Sequence, residues 1–204
     1  TLDDVKASRE VHTAPTATKP VWTADPLNLF VVVEAGDHHV TLLDGDTFEP
    51  ITRFASRFAL HGGPKFTPDG RFVFFGSRDG WITKYDLWTL TVVAEARAGI
   101  NMRNIALSSD GKWIAAANYL PSTLVILSAD DLSPVKQFDV ADAKGTPSRV
   151  SAVYQAPDRK SFVAALKDVP EVWEIPTAPR VDEDAWRLRR IAVADAIDDF
   201  FFDP

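Results

Sequence analysis

The stretch VTLLDGDTFEPITRF (Val40–Phe54) reads as an alternating apolar strand, a polar turn and a second strand, and it recurs. ITKYDLWTLTVVAEA (Ile82–Ala96) and LVILSADDLSPVKQF (Leu124–Phe138) repeat it, with turns opening at Asp44, Asp86 and Ser128, 42 residues apart in both steps. Alternation with a period of two marks half-buried strands, and Asp, Ser and Thr in the turns carry oxygens that bond their own backbone. A second signal runs in step. FTPDGRFVFF (Phe66–Phe75) returns as LSSDGKWIAA (Leu107–Ala116) and, in looser form, as YQAPDRKSFVAA (Tyr154–Ala165). Pro-Asp-Gly and Ser-Asp-Gly are hairpin turns, because Gly supplies the positive φ. Four short strands in every ~40–45 residues are the signature of a β-propeller blade.

On this repeat the first blade spans Leu27 to Ala59 and is incomplete. The second runs from His61 to Gly99, the third from Asn101 to Ala141 and the fourth from Arg149 to Ala194. DDFFFDP (Asp198–Pro204) reads as the opening strand of a fifth. The expected fold class is therefore all-β, with residues 27–204 forming one partial β-propeller domain of about four blades plus the start of another. Residues 1–26, which carry Pro15, Pro20 and Pro26, read as a linker with a short helix at its start. PTAPRVDEDAWRLRR (Pro176–Arg190) reads as a charged hairpin loop inside the fourth blade. An open propeller would expose edges that such folds normally protect. The expectation is a portion of a larger ring, truncated or completed by another copy as a homo-oligomer. A closed four-bladed ring is the alternative.

The 204 residues are 46% apolar and 25% charged, an ordinary globular composition long enough to bury a sizeable core. No apolar run approaches the ~18 residues of a membrane span, and no signal peptide is visible at Thr1. The net charge of −7 argues against a nucleic-acid partner. It also means that an anionic ligand needs a local cluster of Arg and Lys. There are no cysteines, so these residues contain no disulfide, thiolate metal site or Cys-x-x-Cys-His haem attachment. No Ser-His-Asp, phosphate-loop or metal-cluster spacing appears.

ALHGGPKFTPDGRFVFFGSRDG (Ala59–Gly80) places one of only four histidines directly before two glycines. Two readings of His61 stand. It is a turn histidine whose ring caps a strand, or it is a residue that carries the function. His38 and His39 are adjacent, face opposite ways on a strand and make no bidentate site. They read as hairpin polar residues.

The ordered set NLFVVVE, VTLLDGDT, HGGPKFTPDGRFVFFGSRDGWITKYDLW, GINMRN, SRVSAV and SFVAALKDVPEVWEI resembles the haem d1 propeller domain of the cytochrome cd1 nitrite reductase family, across most of Leu27 to Ile175. The resemblance implies an eight-bladed ring, of which this chain is about half. It implies haem d1 or dihydro-haem d1 as the ligand and gives His61 the role of proximal ligand to the iron, a role imidazole suits, with Gly62 and Gly63 leaving room for a flat macrocycle beside it. Haem d1 carries several carboxylates, which Arg meets bidentately. Arg78 in GSRDG, Arg103 at the opening of the third blade and Arg149 at the opening of the fourth match the family pattern. Lys65 adds a fourth positive charge. Asn104 stands where the reductase has a small polar residue, and Tyr119 where it has an aromatic residue lining the pocket. The alternatives are surface ion pairs for the arginines and a core position for Tyr119.

Departures point away from the reductase itself. Pro64 replaces a basic residue three positions after the histidine, with Lys65 one later, Ala35 replaces another, and the loops around the third blade are short. The LHGGPKF form looks more like the maturation branch, which oxidises dihydro-haem d1 by converting a propionate to an acrylate. The implied function is an oxidoreductase of haem d1 biosynthesis in denitrification, periplasmic, with a c-type cytochrome as electron acceptor. The alternatives are the d1 domain of a nitrite reductase and a non-catalytic propeller scaffold. The resemblance assigns no distal catalytic residue.

Overall fold

A computed structural model describes residues 1–12, 15–177 and 186–194. The chain opens with α1 (Leu2–Ala7) and β1 (Glu10–Val11) and then enters four antiparallel sheets. Blade one is β2 (Leu29–Glu34), β3 (His39–Asp44) and β4 (Pro50–Ala55). Blade two is β5 (Lys65–Phe66), β6 (Phe72–Gly76), β7 (Trp81–Asp86) and β8 (Thr91–Arg97). Blade three is β9 (Asn101–Leu107), β10 (Trp113–Leu120), β11 (Thr123–Ser128) and β12 (Pro134–Asp139). Blade four is β13 (Val150–Ala156), β14 (Ser161–Leu166), β15 (Glu171–Pro176) and β16 (Arg189–Ala192). This is the β-propeller arrangement, and no helix interrupts residues 27–177. Blade one has three strands, so among the described residues nothing pairs with the inner edge of β2. The expected fifth blade at Asp198–Pro204, and most of the charged loop after Pro176, lie outside the described residues.

The turns explain the repeat. In the β5–β6 hairpin Asp69 accepts from the Thr67 hydroxyl at 2.5 Å and from the Arg71 N–H at 3.1 Å, with Gly70 at φ 70°. In the β9–β10 hairpin Asp110 repeats this with Ser108 at 2.6 Å and Lys112 at 3.1 Å, with Gly111 at φ 72°. In blade four Lys160 takes the left-handed position at φ 50°. The turns between third and fourth strands are marked by Phe48, Leu90 and Leu132, which keep the 42-residue spacing and all have φ near 60°. Asp86, fully buried, closes its turn by accepting from the Trp88 N–H at 2.9 Å and pairs with Arg71 at 2.7 Å.

The core lies between blades rather than within them. Val40, Leu42, Val73, Phe75, Tyr85 and Leu87 fill the space between blades one and two. Phe74, Ile82, Met102, Ile105 and Ile114 fill that between two and three, and Leu124, Val153, Phe162 and Trp173 that between three and four. Successive residues of one strand therefore serve different junctions, as Val73, Phe74 and Phe75 do. The inner blades are buried on both faces, so β10 reads almost continuously apolar. Blade one, covered on one face, leaves Phe30 and Val32 exposed.

Residues 1–12 correct the linker reading. Thr1 caps α1 through a capping box with Asp4. Val5 is buried in the junction of blades two and three, and Leu2 packs against it. β1 pairs with β8 as a fifth strand, and Arg9 binds Asp131 of blade three at 2.5 Å. Further on, the Trp22 indole donates to the Leu87 carbonyl at 2.7 Å. Prolines after residue 14 suggested extended linker, but the apolar face of the preceding helix finds a groove to fill.

Tyr85 stacks on Phe54 with ring centroids 4.1 Å apart. Burial pushes its hydroxyl up from the ordinary 10.0 to about 12. The folded state thus holds the proton more tightly than the unfolded chain, and this contribution is complete below pH ~10 and lost as pH rises toward about 12. Urea titrations across that window are expected to show an alkaline loss of stability that Tyr85→Phe reduces.

Candidate functional site

His61 follows β4 on a loop stitched to the end of β6. Leu60 bridges Ser77, the His61 N–H donates to the Gly76 carbonyl at 2.8 Å, and the Arg78 N–H donates to Ala59 at 3.0 Å. These bonds extend the inner strand of blade two to the end where β9 and β13 begin and where the β6–β7 and β14–β15 turns lie. Arg78, Arg103, Tyr119 and Arg149 are all at this end of the blades.

The His61 ring meets one residue through both nitrogens. Nδ1 lies 2.7 Å from the Arg103 carbonyl oxygen, and Nε2 lies 2.9 Å from Arg103 Nη1. A carbonyl only accepts and a guanidinium only donates, so Nδ1 carries the proton and Nε2 presents its lone pair. An imidazole with Nδ1–H fixed to a backbone carbonyl is the arrangement that aims Nε2 at a metal. His61 and Arg103 are 42 residues apart, one repeat, and meet because inner strands of neighbouring blades lie side by side.

Lys65 Nζ donates to the carbonyls of Gly62 at 2.9 Å and Gly63 at 3.0 Å, and burial lowers its ammonium below the ordinary lysine value. It braces the loop that carries His61. Arg78 accepts from the Met102 N–H at 3.0 Å through its carbonyl, while its guanidinium makes no hydrogen bond or ion pair among the described residues. A charge left half-buried in this way suits an anion.

Three expectations change. Asn104, expected at the ligand, is 5% exposed, and both ends of its amide bind Val153: Nδ2 donates to the carbonyl at 2.8 Å and Oδ1 accepts from the N–H at 3.0 Å. It joins the inner strands of blades three and four. Gly62 does not make room for a ligand. A Cβ there would lie 2.5 Å from Asn104 Cβ, so the glycine permits the contact between β9 and the His61 loop. Arg149 carries a protein partner already, because its guanidinium forks onto Asp168 at 2.5 and 2.9 Å and its N–H adds a third bond at 2.9 Å. This holds the Asp168 carboxyl far below the usual carboxylate range. The pair is exposed, so solvent screens it and it adds little to stability.

Sequence reasoning missed Lys167 and Asp168. Arg149 and Lys167 flank the Tyr119 ring at 5.3 and 5.7 Å, so Tyr119 stands beside two cations and one carboxylate. The signal was present: Lys167–Asp168 occupies the turn between second and third strands, as Arg78–Asp79 does in blade two. His38, on the blade-one hairpin, accepts from the Ala59 N–H at 3.3 Å and packs on Phe58, which supports the same loop, while His39 bonds the Asp37 carbonyl.

An apolar recess of about 250 Å³ lies against His61, lined by Val33, Leu60, Pro64 and Phe75. That is below the ~300–1,000 Å³ of ordinary small-molecule sites, so the recess by itself does not hold a large flat ligand. A larger cleft of about 580 Å³ opens at the opposite end, beside Asp69, Lys84 and Asp110, away from His61.

A propeller whose inner strands present an imidazole with an Nε2 lone pair covered only by an arginine, beside further arginines, fits a carboxylate-bearing iron tetrapyrrole, and the sequence agrees. The chain belongs to the Cytochrome D1 heme domain family, whose profile matches residues 24–204. It is 61% identical to the dihydro-heme d1 dehydrogenase of Pseudomonas aeruginosa over 205 aligned positions, 99% of this chain and 41% of that protein. It is 28% identical to the nitrite reductase of Stutzerimonas stutzeri, over 83% of this chain and 31% of that protein. The solved structure of dihydro-heme d1 dehydrogenase NirN in complex with DHE superposes with a TM-score of 0.90 at 58% identity, covering 100% of this chain and 44% of that one. The chain thus spans less than half the length of these relatives.

Proposed function

We propose that this chain is the proximal half of a haem d1-type propeller that binds dihydro-haem d1 and acts in its oxidation to haem d1. The observation that carries the reading is the His61 imidazole, protonated at Nδ1 with its Nε2 lone pair met by Arg103 Nη1 and no other protein group among the described residues, beside an Arg78 guanidinium that is unpaired among those residues at the same end of the blades. In this reading His61 is the axial ligand to the substrate's iron. Arg78 and Arg103 bind carboxylates, Arg149 contributes in competition with Asp168, Tyr119 lines the site and Lys65 holds the ligand loop in shape. Bound, the tetrapyrrole supplies the propionate that is oxidised. Its conversion to acrylate releases two electrons and two protons, and a c-type haem, taking electrons singly, is the class of acceptor required. The remaining blades of an eight-bladed ring would supply the distal side. A periplasmic location follows from the same reading.

The 61% identity to a dehydrogenase, against 28% to a nitrite reductase, favours oxidation of the tetrapyrrole over reduction of nitrite. The test uses the intact parent protein with dihydro-haem d1 and an oxidised c-type cytochrome. Appearance of the acrylate product's spectrum with two equivalents of cytochrome reduced is the expected result. Nitric oxide formation from nitrite without that product would move the assignment to the reductase, and no tetrapyrrole binding at all would leave a scaffold.

A further inference from the structure

Arg103 holds both nitrogens of His61 by different means, and the two contacts have different fates. The bond from Nδ1–H to the Arg103 carbonyl belongs to the backbone and survives any movement of the side chain. The bond from Nη1 to Nε2 uses the single lone pair that an axial ligand must give to a metal. Both cannot exist at once. We propose that the Arg103 side chain is a displaceable cap on His61, so that the axial nitrogen is uncovered when a carboxylate draws the guanidinium away. The proposal rests on the reading that the site takes an iron tetrapyrrole, and it names how that site selects carboxylate-bearing rings.

The geometry carries the coupling. The guanidinium has five donors in a rigid fork, and among the described residues only Nη1 is used, on His61. Among the described residues it has no carboxylate partner, unlike Arg149, Arg71 or Arg57, each of which forks onto an acid. A neutral imidazole is a weaker acceptor for a guanidinium than a carboxylate, whose charge-assisted bonds are roughly twice as strong. A ligand carboxylate therefore takes the fork away from His61, while the backbone carbonyl keeps the ring aimed. A metal or an uncharged ring must remove the same cap with nothing to receive it, and its apparent affinity falls by the fraction of protein that is uncapped.

The experiment has two arms, both on the intact parent protein. Diethylpyrocarbonate labels the bare imidazole nitrogen, and peptide mass spectrometry reads His61 separately from His12, His38 and His39. Arg103→Ala is expected to raise the His61 rate by about tenfold, the factor for one hydrogen bond from a charged donor, with the rates at His12 and His39 unchanged and the circular dichroism spectrum retained. The second arm compares protohaem with its dimethyl ester by the Soret shift of axial ligation. Wild type is expected to take the diacid at roughly tenfold lower concentration than the diester, and Arg103→Ala to lose that preference mainly by gaining affinity for the diester. Equal His61 labelling rates in the two proteins, or wild type binding both haems alike, would overturn the cap. If neither haem binds, the tetrapyrrole reading itself falls, and the cap stands or falls on the labelling rates.

Discussion

His61→Ala in the intact parent protein is expected to shift the Soret and long-wavelength bands of bound tetrapyrrole and to leave the fold in place. The imidazole aims a nitrogen lone pair, covered only by the Arg103 guanidinium, through its own backbone contact, so in the proposed reading its removal takes away the axial bond and not merely a neighbour. Its structural cost is small. The loop is held by bonds from the backbones of Leu60, His61 and Arg78 to β6 and Ala59, none of which needs the side chain. The two side-chain hydrogen bonds lost, both to Arg103, are worth ~0.5–1.5 kcal/mol of stability each. Added imidazole should restore the wild-type spectrum by entering the vacated space. A spectrum identical to wild type would return His61 to the role of a turn residue in a glycine loop.

Gly62→Ala is expected to damage both the fold and the site. Gly62 has φ of 86°, and a Cβ would sit 2.5 Å from Asn104 Cβ and 3.1 Å from its Cα. The left-handed conformation costs an L-residue ~1–2 kcal/mol, and forcing atoms into a packed junction adds ~1–3 kcal/mol. The obstacle is the backbone of an inner strand, which has no flexible end to swing aside, and Asn104 is itself fixed to Val153. A loss of ~2–5 kcal/mol in urea unfolding is the expected total. Because the loop would move away from β9, the bonds between His61 and Arg103 should break, and tetrapyrrole affinity should fall even in the fraction that folds. An unfolding midpoint within error of wild type would show that the loop has room that the geometry denies it.

The blade repeat was legible because it is local: Asp44, Asp86 and Ser128 close their own turns, and strand alternation needs only neighbours in sequence. The positive-φ positions at Phe48, Leu90 and Leu132 were not, since large apolar residues normally avoid that conformation and the surrounding turn imposes it. At the candidate site, family resemblance and strand-end position singled out His61, Arg78 and Arg103, and the structure sets all three at one end of the blades. The meeting of His61 with Arg103 was not, although one repeat separates them, because nothing local says which strand ends touch. Asn104 misled for the same reason. A polar residue beside a site arginine suggests a ligand contact, but its partner Val153 is 49 residues away. Arg149 was correctly placed at a strand end, yet its neutralising partner Asp168 lies on another turn. The terminal helix was anticipated, its docking was not, because an amphipathic turn and a half gives no hint of which groove receives it.

The strand β1 that lies along β8 has a bearing on how this molecule behaves in a crowded solution. β8, TVVAEAR, is a seven-residue rim strand with no proline, and without β1 its backbone would offer a template for stacking molecule on molecule. The other rims are guarded by cheaper means. β4 and β12 begin with Pro50 and Pro134 and carry Arg53 and Lys136, while β16 carries Arg189 and Arg190. The residues before the propeller therefore act as a sheath on the rim that begins without a proline and has Glu95 and Arg97 only at its far end. Trimming them would convert a well-behaved protein into a sticky one before it touched the site at all.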